Sequence, residues 1–220
     1  MKRSAWSDSH TVEAAGQTKN LIVVPSLGRS LLIGGVGFCL VSLCVFATVA
    51  FAERWMYAQL TMPGAYLAWT ALFILLGGGI LGSLVAGKWR LPKFYLLFGA
   101  AFFAYAVGWV TAYAIWRDGA GEWLGSFAGS ILMGLVLSAG FGVVRSTLNL
   151  SAVLFVANSV GYFVGSAVNN AVNGSTGMLL WGCVYGLCLG AGLGAVLHFV
   201  QYRRADESAS KQNSRENLTI

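Results

Sequence analysis

The chain has 220 residues, 57% of them hydrophobic and only 10% charged, with 29 glycines and a mean hydropathy of +0.70. Soluble domains are about a quarter charged, so a soluble domain is excluded and a multi-span helical membrane protein is indicated. The net charge of +6 does not point to nucleic acid, because the basic residues sit at the ends of apolar runs, where they report topology.

Residues 1–28 are polar and mixed, with Lys2, Arg3, Asp8, Glu13 and Lys19, and are expected to form a flexible tail. They lack the compact basic, apolar and small-residue succession of a cleaved signal peptide. Residues 29–202 hold six apolar runs, each about long enough to cross a bilayer. The expected spans are 30–52, 66–87, 94–116, 123–144, 150–172 and 177–200. Glu53, Arg54, Trp55 and Tyr57 mark an interface after the first, and Thr61-Met62-Pro63-Gly64 reads as a turn. Lys88, Arg90 and Lys93 form a basic loop after the second, and Arg117, Asp118 and Glu122 lie in a Gly-rich loop after the third. Asn173-Gly174-Ser175 separates the last two and matches a glycosylation acceptor too close to the membrane to carry weight. Residues 203–220 are expected to be disordered. The fold class is therefore all-α: a bundle of six membrane helices with Gly- and Ala-rich interfaces.

Orientation follows from Lys and Arg. Twelve of the fourteen, from Lys2 and Arg3 through Arg145 to Arg203, Arg204 and Arg215, fall on one side, and only Arg54 and Arg117 on the other. Both termini are expected in the cytoplasm, with the protein in the cell membrane, the inner one if the host is bacterial. Trp55, Trp69, Trp116, Trp123 and Trp181 would then belt the outer interface.

The last run carries Gly182, Gly186, Gly190 and Gly194, one every fourth residue. On a helix they form a side-chain-free ridge roughly 18 Å long. Interior glycines cost a water-exposed helix about 1 kcal/mol each, whereas in a bilayer they let another backbone come close. Gly78 and Gly82 in the second span, and Ala157, Gly161 and Gly165 in the fifth, are expected to pack likewise, the last strip against the ridge of span six. The partner of such ridges is either another helix of this chain, a second copy of it or another membrane protein. Gly77-Gly78-Gly79 reads equally as close packing or as a broken helix presenting backbone to a substrate. Trp69, Leu75, Gly78, Leu81 and Gly82 also align without gaps on Trp181, Leu187, Gly190, Leu193 and Gly194; this is either an internal repeat or a chance match between Gly-rich runs.

No Asp, Glu, Lys or Arg lies deep in a span, which argues against proton-coupled pumping and charged substrates. Ser130 lies in Ala-Gly-Ser-Ile and Ser138 in Leu-Ser-Ala-Gly, so neither carries the Gly-x-Ser-Gly context of intramembrane rhomboid proteases. With only His10 and His198 in the chain, a general base or a metal site is hard to assemble. No enzyme activity, cofactor or metal is expected. Cys39 with Cys44 and Cys183 with Cys188 are spaced five apart, too far around a helix to share one metal, and read as small buried hydrophobes.

The polar residues that could form a site are Asn158, Tyr162 and Asn169 of span five, which fall on a common sector, with Tyr105 and Trp109 of span three and Tyr185 of span six. A mid-bilayer amide needs partners inside the protein. Two functions fit. One is a channel or transporter-like protein for a small neutral solute lined by these groups. The other is a structural or assembly subunit of a membrane complex, in which the same groups only join helices.

Overall fold

The computed structural model describes residues 24–86 and 90–217. The regular structure of these residues is wholly helical: α1 Leu27–Gly82, α2 Arg90–Trp116, α3 Gly119–Phe141, a 3-10 turn at Val144–Ser146, α4 Thr147–Val172 and α5 Gly174–Asn217. Among the described residues five helices, rather than the expected six, are long and apolar enough to cross a membrane. Large apolar side chains such as Leu96 and Leu148 are 78% and 81% exposed, while Asn158, Ser126, Ser42 and Ser138 are fully buried. That distribution inverts the rule for soluble proteins and suits a multi-pass membrane protein whose outer surface meets hydrocarbon.

The count differs because expected spans one and two merge into α1. The helix does not stop at Glu53 but continues to Leu60, and it is interrupted at Thr61, whose φ of 60° and ψ of 170° are not helical. Pro63, which lacks an N–H to continue the ladder, lies two residues on. The two arms then run back along each other. Phe38 stacks on Phe73 with centroids 5.6 Å apart, and a methyl placed on Gly37 would collide with the Ile80 side chain. In a straight helix residues 37 and 80 would be about 65 Å apart.

The remaining boundaries move by a few residues for visible reasons. Asp118 caps α3 by accepting from the Gly121 N–H at 3.0 Å, so Glu122 lies in the first helical turn, not in a loop. Negative charge there suits the helix dipole. Gly142, at φ 75°, ends α3 in the left-handed conformation. Between α4 and α5 the chain reverses at Asn173, with φ 59° and ψ 169°. These are nearly the dihedrals of Thr61, and the two positions are 112 residues apart, as are Trp69 and Trp181. The shared turn geometry supports the repeat over the chance match. The α5 backbone is helical to Asn217, past the point where the sequence suggests disorder. Extending an existing helix avoids the cost of nucleation. The expected N-terminal tail to residue 23, the loop residues Lys88 and Trp89, and the last three residues lie outside the described residues.

The glycine ridge of α5 is occupied by the first arm of α1, and α1 with α5 forms the most extensive helix contact. A side chain on Gly194 would strike the Ser30 carbonyl, one on Gly190 would strike Gly34 and Phe38, one on Gly186 would meet Cys39 and Ser42, and one on Gly182 would meet Phe46. The strip on α4 does not meet this ridge, which corrects the expectation. Gly161 lies against Tyr185 and Cys188, and Gly165 against Trp181, on a neighbouring face of α5. Gly77 packs on Phe38 and Phe98, Gly78 on Tyr95 and Gly82 on Leu91 and Phe94. Residues 77–79 remain helical, so the triplet serves close packing.

Candidate functional site

Asn158 lies at the centre of the bundle with no exposed surface. Three other helices each bring a polar group to it. Tyr105 of α2 donates its hydroxyl to Asn158 Oδ1 at 2.7 Å, and Tyr185 of α5 approaches the same oxygen at 3.2 Å. The two phenol oxygens are 3.0 Å apart. On the other side, Asn158 Nδ2 donates to Ser126 Oγ of α3 at 2.7 Å. Ser126 in turn shares a 2.7 Å hydrogen bond with Ser159 of α4. All five residues are buried.

Local packing explains why these groups converge. Tyr105 and Trp109, one turn apart on α2, lie over Gly129 and Gly125 of α3. Tyr185 and Trp181, one turn apart on α5, lie over Gly161 and Gly165 of α4. The two hairpins thus present the same pair of layers. In each, glycine removes the side chain that would keep the phenol from the centre. Both ends of the amide are engaged, so an isolated amide's cost of leaving water, several kcal/mol in hydrocarbon, is offset inside the protein.

Of the six residues expected to line a site, Asn158, Tyr105 and Tyr185 are brought together by direct hydrogen bonds. Tyr162 and Trp109 form a separate aromatic layer one turn away. There Tyr162 lies between Trp109 and Trp181, with centroids at 5.6 and 5.3 Å, and its hydroxyl donates to Glu122 Oε1 at 3.1 Å. Trp109 stacks on Tyr113 at 5.3 Å. The indole N–H groups of Trp69, Trp109 and Trp181 are buried without a protein acceptor. Asn169 joins neither layer. Its carbonyl accepts from the Asn173 N–H at 2.7 Å, and its side chain abuts Gly177 at the turn into α5.

Three functional groups escaped the sequence reading. Ser126 and Ser159 complete the Asn158 cluster, and the available signal was the repetition of Gly125-Ser126 and Gly129-Ser130 at helical spacing. Gln201 is the third. Its Oε1 accepts from the Ala86 N–H at 2.8 Å, and its Nε2 donates to the carbonyls of Leu84 and Leu197 at 3.0 and 2.9 Å. It thereby ties the end of the α1 hairpin to α5. Nearby, His198 Nδ1 lies 2.9 Å from the Pro25 carbonyl and stacks on Tyr202.

A second feature lies on the membrane-facing side. An apolar groove of about 580 Å³ runs between α4 and α5, lined by Leu31, Ala157, Val160, Cys188, Ala191 and Gly192 among others. Gly192 faces Ala157 across it, so the helices meet there through small side chains. Comparison with family models, with curated proteins and with solved structures gave no match.

Proposed function

We propose that this chain is a structural subunit of a membrane assembly, crossing the bilayer six times with both termini on the Lys- and Arg-rich, cytoplasmic side. The two antiparallel arms of α1 supply two of the crossings, each long enough for the hydrocarbon core. The observation that carries the reading is the closure of the Asn158 cluster. Its amide spends its hydrogen bonds on three other helices and has no exposed surface, as helix-joining groups do and as a solute lining does not. The glycine ridges are filled by the chain's own helices, which leaves the groove between α4 and α5 as the surface for another protein. Its occupant is a transmembrane helix of a partner, because small residues allow close backbone approach and nothing along the lining would hold a polar group.

The test is photocrosslinking in native membranes from a reactive residue at Val156, which lines the groove, with Leu96 on α2 as a lipid-facing control. A discrete protein adduct is expected from Val156, absent from Leu96 and abolished when Ala191→Phe fills the groove. Adducts to lipid alone at both positions would end the scaffold reading.

A second reading keeps the neutral solute but moves it to the aromatic layer. It is favoured by the unpartnered indole N–H groups of Trp109 and Trp181 on either side of Tyr162. A solute bearing a hydrogen-bond acceptor would satisfy them. Saturable quenching of tryptophan fluorescence by such solutes, lost in Trp109→Phe, would support this reading over the first.

A further inference from the structure

Cys39 of α1 and Cys183 of α5 lie 144 residues apart in the chain, and their Sγ atoms approach to 3.4 Å. Neither is in a disulfide, and the other two cysteines stand apart, Cys44 exposed and Cys188 beside Gly161. The approach is a product of the glycine ridge. One turn along α5 from Cys183, a Cβ on Gly186 would lie 2.6 Å from the Cys39 Cα and 2.8 Å from the Phe38 carbonyl oxygen. The two backbones therefore touch at the level of the thiols. Disulfides need Cα atoms within about 7 Å and a sulfur separation of about 2.05 Å, and the two sulfurs have only to close from 3.4 Å.

We propose that Cys39 and Cys183 form a reversible disulfide site oxidised from within the bilayer. Cys39 is only 8% exposed, and Cys183 is half-buried on a helix whose free face meets lipid. The pair lies within apolar spans, where an oxidant reaches it from the lipid through Cys183, so the oxidant proposed is a lipid-soluble quinone. Two S–H bonds break and one S–S bond forms. The two electrons and two protons pass to the quinone, which leaves as the hydroquinone. The product fastens the first arm of α1 to α5 beside the glycine ridge.

The experiment uses the full chain in phospholipid vesicles, as the Cys44→Ser/Cys188→Ser variant that retains only this pair. It is treated without oxygen with a decyl-substituted benzoquinone and then digested with trypsin. A peptide joining residues 30–54 to residues 146–203 is expected, with one hydroquinone formed per link. The thiols that react with maleimide after denaturation should fall from two to none and return with a phosphine reductant. The further change Cys39→Ser should abolish the link while leaving a folded monomer on size exclusion. A link made by copper–phenanthroline but not by the quinone would overturn the proposed oxidant and with it the proposal. So would a link found only between two chains, or two thiols that stay free under both reagents.

Discussion

Asn158 shows how one amide can organise a membrane interior. Its oxygen and nitrogen each find a short hydrogen bond on a different helix, and the partners Tyr105, Ser126 and Tyr185 are buried with it. Replacing it with Leu removes the acceptor that both phenols share, and because one phenol can donate to the other, it leaves one phenol hydroxyl without a partner in a low-dielectric core. A buried donor or acceptor left unpaired costs roughly 1–3 kcal/mol. Asn158→Leu should therefore lower the thermal unfolding temperature in detergent well below that of the parent. A near-parental value would mean that the amide's partner is a mobile solute or water, and the structural reading would fall. Gln201→Leu should behave similarly, because it leaves the Ala86 N–H and the Leu84 carbonyl without their side-chain partner; hydrogen exchange at Ala86 is the sensitive probe. Asn158, Tyr105 and Tyr185 were legible from helical spacing, since an amide in an apolar run must find partners. Ser126 and Ser159 were not, because a serine in a membrane helix can satisfy its hydroxyl on its own backbone and carries no such demand.

The helices themselves were read with mixed success, and the misses share a cause. Hydropathy locates where a run is apolar, but it does not report whether the backbone stops where polarity returns. Residues Glu53 to Leu60 look like a loop and are helical. The break falls at Thr61, inside the Thr61-Met62-Pro63-Gly64 stretch that reads as a turn, and Thr61 is a β-branched residue in a region of φ and ψ populated almost only by glycine, where strain runs to about 1–3 kcal/mol. Thr61→Gly should consequently stabilise the protein, by up to a comparable amount, with a rise in unfolding temperature as the readout. The ridge of α5 was legible as a close-packing surface, but its partner was not. Spacing names a face and leaves open which neighbour covers it. Because the α1 backbone lies against Gly190, Gly190→Leu should drive α1 and α5 apart. Overpacking of this kind costs typically about 1–3 kcal/mol, and loss of monodisperse folded yield is the expected result.

For the whole molecule, the proposed topology makes a prediction that composition alone can frame and labelling can decide. Cysteines introduced at Ala5 and at Gly119, in a cysteine-free background, should label from opposite sides of the membrane, with Ala5 on the cytoplasmic side. Six crossings also require a cysteine at Gln59, beside the break in α1, to label from the same side as Gly119. Labelling of Gln59 from the cytoplasm would reduce the crossings and undo the hairpin's role. The all-helical membrane class was visible in composition because so few charges cannot solvate a surface of this size.

The contact between α1 and α5 also has a meaning in time. Among the described helices the first made, α1, finds its main partner in the last, α5, so the largest interface of the bundle has the highest sequence separation. Until α5 emerges, the faces of Ser30, Gly34 and Ser42 that the glycine ridge covers lack that partner. A chain stopped after Asn173 would hold four helices yet lack the surface that closes them, and such incomplete states are prone to aggregate. Nascent chains of that length should be found bound to chaperones or degraded, while chains that include α5 accumulate. Closure of the bundle thus waits on α5, where the glycine ridge and Gln201 engage α1 and the residues that follow it.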